Sequence, residues 1–284
     1  VNDPPIINLP DSLEFSEDGS LIFDFSPYVS DLDGDELTLS CAGNVNINVQ
    51  FDGLEATFSA LANWNGTETL SFIIDDGNDA TADDQCLITV TPVNDDPLIC
   101  LPEAFAFDED DSLIEDFSAY ISDLDSADLT LSCTGGDSIT VDIDDMQVTF
   151  TAMANWNGSE IFTFTISDNA TRATAQDQVT VTVNYVNDAP YIENALIDFD
   201  MQEDTPDSSI DLNNVFADID EIYGDQLTYS AQTAQHFTIE IAAGIVTLTP
   251  AANWYGTETL VFTATDNAGA VISDDVMITI ANTL

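Results

Sequence analysis

The sequence predicts an all-β chain of three tandem Greek-key β-sandwiches in an elongated array. The segment Val-Asn-Asp-x-Pro recurs at residues 1–5, 93–97 and 186–190, which are 92 and 93 residues apart. Each interval holds about seven short apolar runs with alternating polarity and closely spaced turn residues, a pattern typical of a Greek-key sandwich. We therefore expect three repeats, at 1–92, 93–185 and 186–284.

The first repeat shows the expected elements in order. Apolar runs at 6–7 and 13–15, broken by Pro10, predict an opening strand with a bend. Strands are then expected at 21–25, 36–40, 46–51, 55–58, 70–74 and 86–90. Asp52-Gly53 is a strong hairpin signal. No segment has a helical period, so helices are not expected.

A loop that contains tryptophan is the segment most similar in sequence among the three repeats. It reads Ala-Asn-Trp-Asn-Gly-Thr-Glu at 62–68, and close variants stand at 154–160 and 252–258. A tryptophan between asparagine and a following glycine suits a loop that places one large ring in the core. The third repeat has three additional residues near 221–223, which a loop tolerates better than a strand.

The charge balance restricts the possible partners. The chain has 54 acidic residues, a single basic residue (Arg172) and a formal net charge of −53. With so few cations to neutralise phosphate, we expect no nucleic-acid or anionic-membrane partner. Plentiful periodic apolar residues argue against disorder. Two carboxylates about 4 Å apart repel by roughly 4 kcal/mol at an effective dielectric near 20, so bound metal ions or high external salt must offset the repulsion.

The cellular location and the redox state of the cysteines are less strongly indicated by the sequence. No stretch is long and apolar enough to span a membrane, and no cleavable leader is present, so the segment is expected to be soluble, with any leader or anchor outside it. The chain has four cysteines: Cys41, Cys86, Cys100 and Cys133. Their even number suits an oxidising compartment and permits three disulfide connectivities, while buried free thiols are the alternative.

Acidic residues recur at matching offsets in every repeat. A Glu-Asp pair stands at 17–18, 109–110 and 203–204, an Asp-x-Asp loop at 31–33, 123–125 and 218–220, and an aspartate closes the penultimate strand at 76, 168 and 266. Turn chemistry explains single Asp-Gly pairs. It does not explain why acidic residues from distant parts of the repeat stand in register with a junction.

Together with the junction segment, these motifs resemble tandem cadherin-like repeats of large bacterial surface adhesins. The resemblance covers all three repeats and implies Ca²⁺ ions between successive domains. At the first junction it implies the ligands Glu17, Asn94, Asp95, Asp123, Asp125 and Asp168. At the second it implies Glu109, Asn187, Asp188, Asp218, Asp220 and Asp266. A further set around the first segment comprises Asn2, Asp3, Asp31, Asp33 and Asp76. Calcium accepts six to eight oxygen ligands of these kinds, whereas Mg²⁺ demands a stricter octahedron.

The sequence also departs from that family. Pro92 and Tyr185 stand where the family carries an additional acidic residue, and the tryptophan loop replaces an acidic motif before the penultimate strand. We therefore expect fewer ions per junction, with Glu68 and Glu160 as possible substitute ligands.

The resulting functional prediction is a non-catalytic, extracellular, calcium-binding stalk or cell-surface module whose repeats meet end to end. The first junction segment lacks a preceding strand and the last strand lacks a following junction. The chain is therefore expected to be a segment of a longer protein or, alternatively, a subunit of a head-to-tail filament. A purely acidic adaptation to brine explains the charge without calcium.

Other functions find less support in the sequence. A carbohydrate-binding surface would use Tyr28, Tyr120 and Trp64, although these aromatic residues fit core positions better. His236, the single histidine, has no nucleophile motif beside it, so catalysis is not expected. Glycosylation sequons at Asn65, Asn157 and Asn169 leave modification open.

Overall fold

A computed structural model of the chain describes residues 1–169 and 171–281. The first repeat contains β1 (Ile6–Ile7), β2 (Ser12–Ser16), β3 (Ser20–Asp24), β4 (Val29–Ser30), β5 (Thr38–Ala42), β6 (Ile47–Asp52), β7 (Glu55–Ala60), β8 (Gly66–Asp75) and β9 (Thr81–Thr91). The second contains β10 (Leu98–Ile99), β11 (Ala104–Asp108), β12 (Ser112–Asp116), β13 (Ile121–Ser122), β14 (Leu129–Gly135), β15 (Ile139–Asp144), β16 (Gln147–Ala152), β17 (Gly158–Asp168) and β18 (Thr174–Asn184).

The third repeat contains β19 (Tyr191–Ile192), β20 (Phe199–Gln202), β21 (Phe216–Ala217), β22 (Thr228–Ala231), β23 (Phe237–Ala242), β24 (Ile245–Pro250), β25 (Gly256–Thr265) and β26 (Val271–Ala281). The all-β prediction is confirmed. Short helical turns, which the sequence analysis did not expect, occur at Ser26–Tyr28, Phe117–Ala119 and Ile219–Tyr223 (3₁₀) and at Leu212–Val215 (α1). Among the described residues, no helix has both the length and the hydropathy to cross a membrane.

Each repeat forms a sandwich of two main sheets with a small additional pair of strands. In the first repeat these are a four-stranded sheet β2-β9-β8-β5, a three-stranded sheet β3-β7-β6 and the pair β1-β4. The second repeat has the same order, with β11-β18-β17-β14, β12-β16-β15 and β10-β13. In the third repeat the sheets are β20-β26-β25-β22, β23-β24 and β19-β21, and α1 follows the isolated bridge between Asp211 and Ile245.

The opening segment differs from the expected single bent strand. β1 pairs antiparallel with β4, whereas β2 crosses to the larger sheet and pairs parallel with β9. The bend between them therefore changes sheets, and the strand count rises to nine in each of the first two repeats. The predicted hairpin after Asp52 is confirmed, because Asp52 pairs with Glu55 across a two-residue loop.

Each core lies between the two main sheets. In the first repeat Phe25, Phe58 and Phe72 are fully buried, and the Phe25 and Phe72 rings lie 5.0 Å apart. The second repeat places Phe117, Phe150 and Phe164 at the same spacing in sequence. Burial of such side chains, each contributing about 1.5–3 kcal/mol, drives the folding of each repeat.

The tryptophan loop packs against the edge of the core. Trp64 is partly buried against the first core cluster, so its ring covers the core and does not fill its centre as the sequence suggested. Asp18 Oδ1 accepts the Asn63 backbone N–H at 3.3 Å. Gly66 has φ +147°, and a Cβ there would lie 3.0 Å from Trp64 Cζ2. The motif thus needs glycine for both conformation and space.

The four cysteines are free thiols in the structure. Cys86 is buried, which raises the pKa of its thiol to about 11 with a further contribution from the charges of Asp84 and Asp11. Burial likewise raises the pKa of Cys133 to about 11. Thiols with raised pKa values are poor nucleophiles at neutral pH. The structure thus agrees with free thiols and not with disulfides, although only Cys86 is buried, while Cys100 is exposed.

Candidate metal centres at the repeat junctions

The junction segments at 93–97 and 186–190 are the linkers between repeats. A buried glutamate binds each linker to the repeat before it. Glu17 Oε1 accepts the backbone N–H of Val93 at 2.7 Å, and Glu109 Oε1 accepts that of Val186 at 2.6 Å. Glu17 is only 2% exposed and Glu109 only 5%. Carboxylates so deeply buried need charge compensation as well as hydrogen bonds.

The Asp-x-Asp loop attaches the same linker to the repeat after it. The second aspartate of the loop accepts the backbone N–H of the junction aspartate in all three copies. The pairs are Asp3 to Asp33 Oδ2 at 2.7 Å, Asp95 to Asp125 Oδ2 at 2.6 Å and Asp188 to Asp220 Oδ2 at 2.7 Å. The linker is therefore held from both sides by acidic groups.

The first aspartate of the loop uses one oxygen to fix the loop itself. Asp123 Oδ1 accepts the N–H groups of Asp125 and Ser126 at 2.8 and 2.7 Å. Asp31 and Asp218 accept their own loop N–H groups in the same way. These turns within the loop hold the carboxylate plane in a fixed direction.

The other oxygen of that aspartate is buried and has no hydrogen-bond partner among the described residues. This holds for Oδ2 of Asp31, Asp123 and Asp218 alike, and also for Asp95 Oδ2 and Glu109 Oε2. An unpaired buried carboxylate oxygen is costly, and a bound ion is one of its ordinary explanations. The donor set is hard oxygen, which is the set that Ca²⁺ prefers.

Carboxylates from both neighbouring repeats converge on the junction aspartates. Burial raises the pKa of Asp95, and the charges of Asp125, Asp18, Glu17 and Asp123 raise it further. Burial also raises the pKa of Asp188, with added contributions from Asp220, Asp110, Glu109 and Asp218. Both junctions thus concentrate negative charge that a cation would relieve.

Some members of these clusters were absent from the predicted ligand sets. Carboxylate oxygens of Asp31, Asp33 and Asp35 lie within 4.8 Å of one another, as do those of Asp218, Asp220 and Asp225. Asp35 stands two residues after Asp33 and could have been chosen from the sequence. Asp225 follows the three-residue insertion of the third repeat, so its distance from the Asp-x-Asp loop differs from that of Asp35. The comparison of repeats therefore did not reveal it.

The strand-closing aspartates bind the asparagine of the linker. Asp266 Oδ2 accepts Asn187 Nδ2 at 2.9 Å, and its Oδ1 accepts the N–H groups of Gly269 and Ala270. Asn2 Nδ2 donates to Asp76 in the same way, at 2.8 Å. These side-chain amide bonds, aided by backbone N–H groups, lower the pKa of Asp76 and Asp266 although burial opposes them. In this arrangement the pairs hold the linker, and their roles as metal ligands remain a prediction.

Asp168 and Asn94, also predicted ligands, have local partners in the second repeat. Asp168 is fully buried and accepts the N–H and the hydroxyl of Thr171. Asn94 Nδ2 donates to the Asp95 carbonyl at 2.7 Å. Their roles as metal ligands at the first junction remain a prediction.

The substitute ligands suggested by the sequence serve another purpose. Glu68 accepts the N–H groups of Val45 and Asn46 at 3.1 and 2.7 Å, and Glu160 accepts those of residues 137–139. Burial opposes ionisation of both glutamates, but these N–H donors outweigh it and lower their pKa values. Glu68 and Glu160 therefore cap a turn inside their own repeats, which argues against a ligand role.

The insertion in the third repeat reaches the second repeat. It forms the 3₁₀ helix Ile219–Tyr223, and the Tyr223 ring meets the ring of Tyr185 edge to face at 5.8 Å. The Tyr223 hydroxyl also donates to the Asn155 carbonyl at 3.5 Å. At the first junction, proline occupies the position of Tyr185 and the insertion is missing. The second junction therefore has contacts that the first lacks.

Two other candidate sites from the sequence, the carbohydrate surface and His236, have structural roles. Tyr28 stacks on Phe23 at 5.3 Å, and Tyr120 and Trp64 pack against their core clusters, which disfavours the predicted carbohydrate surface. His236 lies flat on Trp254 at 4.4 Å, with Nδ1 3.2 Å from Glu258 Oε2. This histidine supports the tryptophan loop.

Two of the three sequons are poor glycosylation sites. Asn65 Nδ2 donates to Glu17 Oε2 at 3.3 Å, and Asn157 Nδ2 is buried. These nitrogens are the atoms that would carry a glycan. The third sequon, at Asn169, includes residue 170, which lies outside the described residues.

The fold and the acidic junctions define a class of protein, namely tandem Ig-like and cadherin-like β-sandwich repeats. Residues 2–89 and 187–279 match the family model described as Bacterial Ig domain, and residues 93–184 match the Cadherin-like domain model. The chain belongs to the bacterial Ig-domain family, with a cadherin-like domain as its middle repeat. No curated protein matches the chain.

Solved structures agree with this fold. The PcdhgB3 EC1-4 structure is 14% identical with a TM-score of 0.58, and the match covers 99% of this chain and 76% of that one. Protocadherin Gamma B2 extracellular cadherin domains 1-5 match at 14% identity and TM-score 0.52, over 100% of this chain and 61% of that one. An endo-fucoidan hydrolase from glycoside hydrolase family 107 matches at 17% identity over 99% of this chain. This chain spans only 45% of the hydrolase, and the TM-score of 0.31 carries no inference about activity.

These families indicate the general role of the chain. Ig-like and cadherin-like domains are typically non-catalytic and usually extracellular, and their repeats suit an adhesin-like or structural module. Cadherin-like domains are also classically calcium-binding, and this chain has acidic clusters at Asp31, Asp33 and Asp35 and at Asp218, Asp220 and Asp225.

Proposed function

We propose that this chain is a calcium-stiffened extracellular spacer or adhesive segment. The observation that carries the proposal is the set of buried, unpartnered carboxylate oxygens at the junctions, and above all the same Oδ2 atom in the first aspartate of all three Asp-x-Asp loops. An adaptation to brine would distribute carboxylates over the exposed surface. It gives no reason to bury the same oxygen three times.

Each proposed ion would bind groups from two repeats at once. At the first junction Glu17 belongs to the first repeat, while Asp95 and Asp123 belong to the second. A cation between them would replace mutual repulsion with attraction to a common centre. The angle between repeats would then be fixed, and the chain would behave as a rod.

The expected stabilisation is moderate. Extracellular calcium modules bind with a Kd of about 10⁻⁴–10⁻³ M, so each site would contribute roughly 1.4–2.7 kcal/mol at about 10 mM calcium. That is a sizeable part of the stability of a small domain. End-to-end contact between subunits would use the same chemistry, and the filament remains a prediction.

A calcium titration tests the proposal. The intact chain would be followed by calorimetry, thermal melting and small-angle scattering, first with a chelator and then with added calcium. Sodium chloride at matched ionic strength controls for screening. We expect calcium to raise the melting temperature and the maximum particle dimension, with magnesium much less effective. Equal effects of calcium and matched sodium chloride would refute the calcium proposal and support the brine explanation.

A further inference from the structure

A cavity of about 580 Å³ lies at the second junction, beside the candidate metal centre. Asn157 contributes from the tryptophan loop of the second repeat, Tyr185 from the linker and Tyr223 from the insertion. The remaining walls are Asn187, Gly224, Asp225, Asn267 and Ala268. We call this space the junction cavity. Its volume is within the range of small-ligand sites.

The junction cavity offers two aromatic surfaces. Tyr185 is 46% exposed and Tyr223 is 47% exposed. Their rings meet at 67°, an edge-to-face contact that leaves ring surface uncovered. Tyrosine is enriched at interfaces because its ring is apolar and its hydroxyl is polar.

The other walls are polar. Three asparagine amides line the space, although Nδ2 of Asn187 already donates to Asp266 and to the Asp188 carbonyl. Asn157 Nδ2 is itself buried and has no acceptor among the described residues. A donor left unpaired in this way is costly, and a ligand oxygen would satisfy it. Among the described residues, the walls contain no long aliphatic side chain, which disfavours a lipid or another apolar ligand.

Charge limits the ligand further. Asp225 lines the cavity, and the chain as a whole carries a formal charge of −53. An anionic ligand would be repelled. A neutral molecule with a C–H face and several hydroxyl groups fits both the rings and the amides. The hydroxyls could donate to Asp225 and accept from Asn157.

We propose that the junction cavity binds a neutral saccharide, with a pyranose ring stacked on Tyr223 or Tyr185 and its hydroxyls bonded to Asn157 and Asp225. The carbohydrate surface predicted from the sequence used other aromatic residues, which pack against the cores. The two tyrosine rings meet through direct protein contact without an ion. Asn187 and Asp225 also belong to the candidate metal centre, so binding is measured both with and without calcium. It is specific to this junction, since Pro92 replaces Tyr185 at the first.

Saturation-transfer NMR on the intact chain tests the site. The probes are the methyl pyranosides of glucose, galactose, mannose and xylose, with choline as a cationic comparison. Spectra are recorded in calcium and again in chelator. Saccharide binding can then be judged whether or not the chain binds calcium. We expect saturation to be transferred to the ring protons of at least one glycoside, with a signal that saturates as the glycoside concentration rises.

Variants identify the contact residues. Tyr223→Ala and Tyr185→Ala should weaken binding at least tenfold, whereas Tyr223→Phe should retain it because the ring remains. Tyr191→Ala, at a tyrosine that is 48% exposed elsewhere in the third repeat, is the control and should change nothing. Melting curves verify that each variant is folded. The proposal is overturned if no glycoside binds, if binding survives both alanine variants, or if only choline binds.

Discussion

The ring of Tyr223 meets the ring of Tyr185 edge to face across the second junction, with centroids 5.8 Å apart. Aromatic pairs of this geometry contribute about 0.5–1.5 kcal/mol beyond the area they bury. This contact needs no ion. The two junctions should therefore respond differently when cations are removed.

We expect the first linker to open before the second in chelator. The Val93 amide, bonded to Glu17, should exchange its hydrogen faster than the Val186 amide, bonded to Glu109. Hydrogen exchange with mass spectrometry of the two linker peptides measures the difference. Tyr223→Ala should bring the Val186 peptide close to the Val93 rate. Tyr255→Ala, at an exposed position, is the control. Equal exchange of both linkers in the unmodified chain would contradict this prediction.

Asp123→Asn should weaken calcium binding at the first junction. The substitution keeps the shape of the side chain but removes the charge at the buried Oδ2, which has no other partner among the described residues. A loss of at least tenfold in affinity, about 1.4 kcal/mol, is expected for one site only. Calorimetric titration counts the remaining sites. Asp142→Asn, at an exposed position of β15, should bind like the unmodified chain. If Asp123→Asn also did so, the ligand assignment would be wrong.

Glu68→Gln should destabilise the first repeat. The amide nitrogen of glutamine would face the N–H of Val45 or Asn46, so one donor loses its acceptor at a cost of about 1–2 kcal/mol. The pKa of Glu68 is lowered below its ordinary value of 4.5. Its contribution is therefore present above the unfolded pKa and is lost as the pH falls through the folded pKa.

Urea denaturation at several pH values measures this effect. The difference in the free energy of unfolding between the unmodified chain and Glu68→Gln should be largest at pH 7. It should disappear as the pH falls below the ordinary pKa of glutamate. Glu36→Gln, at an exposed residue, serves as the control. A gap that persists unchanged in acid would show that the Glu68 charge is not responsible.

Gly66→Ala should cost more than Gly53→Ala in the same repeat. Both glycines have positive φ, +147° and +63°, but only at Gly66 would a Cβ lie 3.0 Å from the Trp64 ring. Backbone strain of about 1–2 kcal/mol applies to both, and overpacking adds roughly 1–3 kcal/mol at Gly66 alone. Denaturant midpoints of the two variants give the comparison. Equal midpoints would mean that the ring moves aside freely.

The sequence indicated that the junction segment and the Asp-x-Asp loop act together, and the two are hydrogen-bonded in every repeat. Asp95 and Asp125 lie 30 positions apart, as do Asp3 and Asp33, and the same hydrogen bond forms in both. The fold class followed from the alternation of apolar residues, because that period sets which face of a strand is buried. The parallel pairing of β2 with β9 was missed, since local polarity does not reveal which sheet a strand joins.

Other features could not be predicted because they depend on where a side chain points. Glu160 has the same charge as Glu109, but it turns toward the backbone of residues 137–139. The insertion around Tyr223 was recognised as a change in loop length. Its contact with Tyr185 of the preceding repeat depends on the folded path of that loop, which length alone does not specify.

The parallel pairing of β2 with β9 has a mechanical consequence. These are the second and the last strands of the first repeat, and they run in the same direction side by side. β11 with β18 and β20 with β26 repeat the arrangement. Tension applied through the two linkers of a repeat pulls such strands in opposite directions along their length, so the bonds between them are loaded together in shear and not peeled one by one. Forced unfolding is governed by the barrier to this rupture, and each repeat is thus built to resist pulling along the axis of the chain.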